Sequence, residues 1–131
     1  MSAKPAILVV DDNPGAREIL VLFLKGVGFQ TIEAATGPEA LLAAQTAHPE
    51  LILLDLALPE ISGDEVMARL TADPKTHNIP VIVLTALSKE DRIVKRTLEC
   101  GAEEVLMKPY SFKQLGEAIG RYVRQPHDMR F

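Results

Sequence analysis

Ala6-Ile7-Leu8-Val9-Val10-Asp11-Asp12 sets the architecture of this chain: five apolar residues stop abruptly at two adjacent acids. The run has no helical period, and apolar residues follow one another without polar alternation. That is the pattern of a strand buried on both faces of a parallel sheet. The same design recurs further along the chain. Leu51 to Leu54 ends in Asp55, Val81 to Leu84 ends in Thr85-Ala86, and Val105 to Met107 ends in Lys108-Pro109. Ligands of open α/β sheets bind in the crevice at the carboxyl ends of the strands. Every such end here supplies a carboxylate, a hydroxyl or an ammonium, a set that packing alone does not call for.

Helical patterns fill the gaps between these runs. Asn13 offers an N-cap with Pro14 at the first helical position. Ala16, Ile19, Phe23 and Val27 follow at helical spacing as the expected inner face, with Gly26 or Gly28 as the stop. Phe29 to Ala34 reads as the second strand and, being the least apolar, as an edge. Thr36 with Glu39, Ser62 with Glu65 and Ser111 with Gln114 show capping-box spacing. The expected inner faces are Ala40, Leu41, Ala44 and Ala47; Val66, Met67 and Leu70; and Phe112, Leu115, Ile119 and Tyr122. Ser88 and Asp91 open the fourth helix, with Ile93, Val94 and Leu98 as its apolar stripe and Gly101 as its stop. Strand and helix thus alternate five times, which implies α/β architecture with helices on both faces of a parallel sheet. A single domain over residues 1–131 is expected, its core from about residue 5 to residue 123 and a frayed tail over 124–131.

Composition narrows the function. The chain has 131 residues, 47% hydrophobic and 24% charged, as a globular domain should. Its net charge of −4 leaves no basic excess for direct nucleic-acid binding. A lone Cys100, read as a small packed residue near a helix end, fits a reducing cytoplasm. No run approaches the roughly 18 apolar residues of a membrane span, and Met1 to Val10 is too short and too weakly basic for a secretory signal. His48, His77 and His127 show no metal-ligand spacing. Lys89, Arg92, Lys95 and Arg96 are interleaved with acids, which reads as a solvated helix face or a protein-docking face. Gly26-Val27-Gly28 closes a helix instead of opening one, so it is no dinucleotide fingerprint.

Asp11, Asp12 and Asp55 would share one pocket. Two unit charges about 5 Å apart at an effective dielectric near 20 repel by roughly 3 kcal/mol, so three acids need a cation. Lys108 is one, and an all-oxygen acidic set also suits a hard divalent ion, Mg²⁺ above all. A carboxylate at the mouth of an apolar strand can attack a phosphoryl group. Positioning and charge stabilisation are then most of what the protein must add. Mg²⁺, Lys108, the Thr85 hydroxyl and the Ala86 N–H could together hold three phosphoryl oxygens.

Asp11-Asp12-Asn13, Asp55, Pro59 with Gly63, Thr85-Ala86 and Lys108-Pro109 together resemble the receiver domain of two-component response regulators. The resemblance runs from about Pro5 to Val123. It implies a flavodoxin-like, doubly wound (βα)5 fold with a five-stranded parallel sheet of order 2-1-3-4-5. It implies that Asp55 accepts a phosphoryl group from a phosphohistidine on a histidine kinase or histidine phosphotransfer protein. Asp12, Asp55 and the Ala57 carbonyl would ligate Mg²⁺, with Asp11 acting mainly through water. Thr85 would swing toward the phosphoryl group, and Lys108 would pair with it ahead of a cis Lys108-Pro109 bond. Two departures from the family pattern matter. Val105 stands where an aromatic is usual, and Tyr110 matches a packing position instead of that switch. Ala57 and Leu87, at positions that tune phosphoryl lifetime, are both apolar.

The expected role is therefore a signalling phosphoacceptor and not an enzyme acting on other molecules. Its output would pass to a downstream protein through the face of the fourth helix, fifth strand and fifth helix, with a homodimer as one arrangement. An aspartate-nucleophile phosphatase is the alternative from another class. Such enzymes usually carry an acid two residues after the nucleophile, where this chain has Ala57. A pseudo-receiver that only docks is the third reading, and the complete set of acids, Thr85 and Lys108 speaks against it.

Overall fold

Two apolar cores, one on each face of a single sheet, organise the molecule. The computed structural model describes residues 4–123. Its strands are β1 (Ala6–Val10), β2 (Gln30–Ala34), β3 (Leu51–Asp55), β4 (Val81–Thr85) and β5 (Glu104–Met107). They alternate with α1 (Pro14–Gly26), α2 (Gly37–Ala47), α3 (Gly63–Ala72), α4 (Arg92–Glu99) and α5 (Phe112–Gly120). All strands pair in parallel, in the order β2-β1-β3-β4-β5. This is the flavodoxin-like doubly wound arrangement expected. The strand period of two sorts the side chains. Leu8, Val10, Ile52, Leu54, Val81 and Val83 face α2, α3 and α4. Ile7, Val9, Leu51, Leu53, Ile82 and Leu84 face α1 and α5. Every residue of β3 and β4 is buried, as a run without polar alternation requires. The polar β2 is an edge.

Several local expectations hold. Asn13 caps α1 by accepting from the Ala16 N–H, with Pro14 behind it. Ser111 and Gln114 form a complete capping box. Thr36 accepts from the Glu39 N–H, while Glu39 reaches back to the Ala35 N–H, one residue before the cap.

Others need correction. In α1 the buried residues are Leu20, Val21 and Leu24, whereas Ile19 is 57% exposed. Residues 19–24 are all apolar, so their periodicity is degenerate and the sheet selects the face. Ala47 is exposed at the end of α2. In α4, Val94 and Thr97 are buried, and Ile93 and Leu98 face outward. Asp91 alone caps α4, accepting from the Ile93 N–H. Phe112 is half exposed and stacks on Phe23 with ring centroids 4.5 Å apart, joining α5 to α1. Ser62 sits at the N-cap of α3 but makes no capping bond. Its hydroxyl donates to Asp64 instead. Cys100 ends α4, half-buried as expected. The expected tail over 124–131, with His127, lies outside the described residues.

The chain leaves β1 for β2 on one side and returns to β3 on the other, so the strand order reverses between β1 and β3. A crevice forms above such a reversal, at the carboxyl ends of the strands. Asp11 and Asp55 stand on its two sides.

Candidate functional site

Register places the chemistry. Val10 pairs with Leu54, so Asp11 follows β1 where Asp55 closes β3. Asp55 is opposite Leu84, and Thr85 is opposite Met107, the residue before Lys108. Thr85 belongs to the alternation that faces α2, α3 and α4. Asp55 belongs to the one that faces α1 and α5. The strand ends therefore approach the crevice from both layers.

Asp55 is 8% exposed. One carboxylate oxygen accepts from the Ala57 N–H at 2.9 Å and the other from Lys108 Nζ at 3.0 Å. Lys108 is fixed in turn because its backbone N–H donates to the Thr85 carbonyl at 2.8 Å. The Lys108-Pro109 bond is cis, as the resemblance implies. The Thr85 hydroxyl is buried and accepts from the Leu87 N–H at 3.0 Å. Ala86 is exposed between them.

Asp11 is 3% exposed and accepts from the Asn13 N–H at 2.9 Å. Burial pushes its carboxyl above the ordinary value. The Asn13 bond and Lys108 pull it down, while the charges of Asp55 and Asp12 add to the rise. Burial also pushes the Tyr110 hydroxyl up to about 12, with Asp11 and Asp55 adding to it. Tyr110 thus borders the acids as well as packing on the α1/α5 core.

Asp12 and Ala57 are exposed at the rim. Among the described residues no three His, Cys, Asp or Glu side chains close into a metal cage. Mg²⁺ does not need one, since it keeps several waters and takes one or two carboxylates. Negative charge that Lys108 only partly offsets, and oxygen donors open to solvent, fit such an ion.

A raised acid is protonated more readily in the folded than in the unfolded state. Its favourable contribution is complete below the unfolded value near 3.8 and is lost as pH rises through the higher folded value. Asp11→Asn, measured without divalent metal, is therefore expected to melt a few degrees above wild type at pH 7. The gap should shrink as pH falls toward 4. A gap that widens on acidification would contradict this account of the pocket.

Two supporting residues carry no sequence signal of their own. Arg17 donates to the Asp11 carbonyl at 2.7 Å and to Glu33 at 3.0 Å, bracing β1 against the β2 edge. Arg96, read as part of a solvated face, pairs with Asp64 at 2.6 Å. Glu60, in the loop between β3 and α3, has a left-handed φ of 70°. That conformation costs an L-residue roughly 1–2 kcal/mol, partly offset on substitution by the larger unfolded entropy of Gly. Glu60→Gly is expected to stabilise the fold by about 0.5–1 kcal/mol in denaturant unfolding. A loss of stability would mean that the Glu60 side chain itself holds the loop.

A family model for the response regulator receiver domain matches residues 7–120. The DNA-binding response regulator MtrA of Mycolicibacterium smegmatis is 40% identical over 126 residues, 95% of this chain and 53% of that protein. The probable transcriptional regulator ycf27 of Porphyridium aerugineum is 41% identical over 123 residues, 93% of this chain and 49% of that protein. The chain thus spans about half the length of these curated relatives. Among solved structures, chemotaxis protein CheY4 of Vibrio cholerae superposes with a TM-score of 0.85 at 26% identity, covering 92% of this chain and all of that one. The receiver domain of sensor histidine kinase PA1611 from Pseudomonas aeruginosa, solved with magnesium in its active-site cleft, gives 0.84 at 27% identity and covers 92% and 98%. Site geometry, strand order and these matches agree, and the chain belongs to the response regulator receiver domains, the phosphoacceptor modules of two-component signalling.

Proposed function

We propose that Asp55 is the phosphoacceptor and that the donor is a phosphohistidine on a histidine kinase or phosphotransfer protein. The observation that carries this is the buried Asp55 carboxylate, oriented by the Ala57 N–H and paired with Lys108 at the end of a rigid strand. An Asp55 oxygen attacks phosphorus, the P–N bond breaks, and the imidazole nitrogen leaves with its electron pair to be protonated by solvent. Lys108 supports the charge on the transferred group. The Thr85 hydroxyl, released from Leu87, and the Ala86 N–H supply further donors. Asp12, Asp55 and the Ala57 carbonyl would hold Mg²⁺, with Asp11 acting through water. The ion would neutralise charge on the phosphoryl oxygens. Beyond its own phosphorylation and dephosphorylation the chain needs no substrate.

Ala57 disfavours the phosphatase reading. Two residues beyond the acceptor it offers a methyl group in place of an acid, and its N–H is bonded back to Asp55. Output is assigned to the face of α4, β5 and α5, either toward a downstream protein or a second copy. No helix among the described residues is long and apolar enough to cross a membrane. A partner kinase with cytoplasmic catalytic parts would place the module in the cytoplasm. The charge argument against nucleic acid concerns these 131 residues, and DNA binding belongs by name to relatives about twice as long.

Incubation with a small phosphodonor and Mg²⁺, followed by intact mass, tests the reading. One added phosphoryl group per chain is expected, dependent on the metal. An unmodified chain under conditions that label another receiver would overturn it.

A further inference from the structure

We infer that Asp64 and Arg96 form a positioning pair that holds the two phosphoryl-binding loops at a fixed separation. This rests on the phosphoacceptor reading of the same site.

The loop from β3 to α3 carries Ala57, and the loop from β4 to α4 carries Ala86 and Leu87, the latter bonded to Thr85. Asp64 is the second residue of α3, directly after the first loop, and is 6% exposed. One of its carboxylate oxygens accepts from the Ser62 hydroxyl. The other accepts from Arg96 Nη1 of α4 at 2.6 Å. Arg96 also lies 3.8 Å from Glu65. At the far ends of the helices the Thr71 hydroxyl donates to the Cys100 carbonyl at 2.6 Å. The ion pair is therefore the α3–α4 link nearer the loops.

Each loop is tied to its own helix as well. The Gly63 N–H donates to the Leu56 carbonyl at 3.2 Å, closing the first loop on itself. The Asp91 N–H donates to the Ser88 carbonyl at 3.0 Å, and Asp91 caps α4. The pair thus joins two short, internally bonded segments. A buried carboxylate is retained only where its oxygens are satisfied. Here both are, by partners on its own loop and on α4. Burial raises the Asp64 carboxyl, but the Ser62 and Arg96 bonds outweigh it and hold the group below its ordinary value. The planar guanidinium, bonded to Asp64 with Glu65 at 3.8 Å from its second nitrogen, holds its donors in a fixed fork that an ammonium lacks.

The division of labour is testable because the two ligands use the loops differently. Mg²⁺ would draw on Asp11, Asp12, Asp55 and Ala57, all on the β1 and β3 side. A phosphoryl group also needs Thr85 and Ala86, across the pair. Arg96→Gln and Asp64→Asn are titrated first with Mg²⁺ alone and then, at saturating Mg²⁺, with beryllofluoride as the phosphoryl mimic. We expect Mg²⁺ affinity unchanged and beryllofluoride affinity reduced about tenfold, as small misplacements of reacting groups produce. Arg96→Lys should recover part of the loss. Because Arg96→Gln leaves a buried charge unpaired, the double variant Asp64→Asn/Arg96→Gln, which has no orphan charge, is measured beside it, with melts to confirm folding. A merely structural pair would weaken both ligands together or neither, and either result in a folded variant overturns the inference alone. A wild-type protein that takes up no beryllofluoride overturns the phosphoacceptor reading and the pair with it.

Discussion

Asp55→Asn is expected to reduce the phosphorylated adduct to background while leaving the fold intact. The amide nitrogen can occupy the same space, and the amide oxygen can keep the Ala57 N–H bond. An uncharged amide is no nucleophile toward phosphorus at neutral pH, and it removes the charge that pairs with Lys108 and that would help hold Mg²⁺. Asp11 is the only other buried carboxylate facing the crevice among the described residues, and burial and its neighbours' charges already disfavour its ionised form. It should not substitute for Asp55. Stability should change little, because two effects oppose. Lys108 loses its partner, yet the repulsion between Asp55 and Asp11 is relieved. Intact mass after phosphodonor treatment gives the adduct, and a thermal melt gives the fold. An adduct surviving at wild-type yield in a folded Asp55→Asn protein would move the acceptor to another residue.

Gly63→Ala is expected to be strongly destabilising. A Cβ at Gly63 would lie 2.6 Å from the Leu56 Cα and 2.6 Å from its Cδ2. Backbone cannot step aside as the end of a side chain can. The start of α3 must then move off Leu56, and the loop with Ala57 moves with it. Overpacking of this kind costs about 1–3 kcal/mol, a fall on the order of 3–10 °C in melting temperature for a domain of this size. Phosphodonor labelling should slow about tenfold as well, because Ala57 orients the Asp55 carboxylate. Gly26→Ala is the matched control. It ends α1 with nothing within 4 Å of its new methyl. There Ala should be neutral or stabilising by up to about 1 kcal/mol. Equal melting points for the two variants would show that the Gly63–Leu56 contact is softer than its geometry implies.

The parallel sheet, its five βα repeats and the polar ends of β1, β3, β4 and β5 were legible in the amino-acid order alone. Strands buried on both faces must be continuously apolar, so Asp11, Asp55, Thr85 and Lys108 stand out against Leu, Ile and Val without reference to any contact. The motif set added the strand order and the cis Lys108-Pro109 bond. Tertiary structure decided what depends on partners distant in sequence. Residues 19–24 are apolar all round α1, and only the packed sheet chooses Leu20, Val21 and Leu24 over Ile19. Ser62 has the spacing of a capping residue, but its hydroxyl goes to Asp64, which is held by Arg96 thirty-two positions away. A local pattern records what neighbours along the chain can do for one another. It carries no trace of an ion pair formed when two helices meet, because the Asp64 carboxylate has no unmet need until the fold takes it out of water.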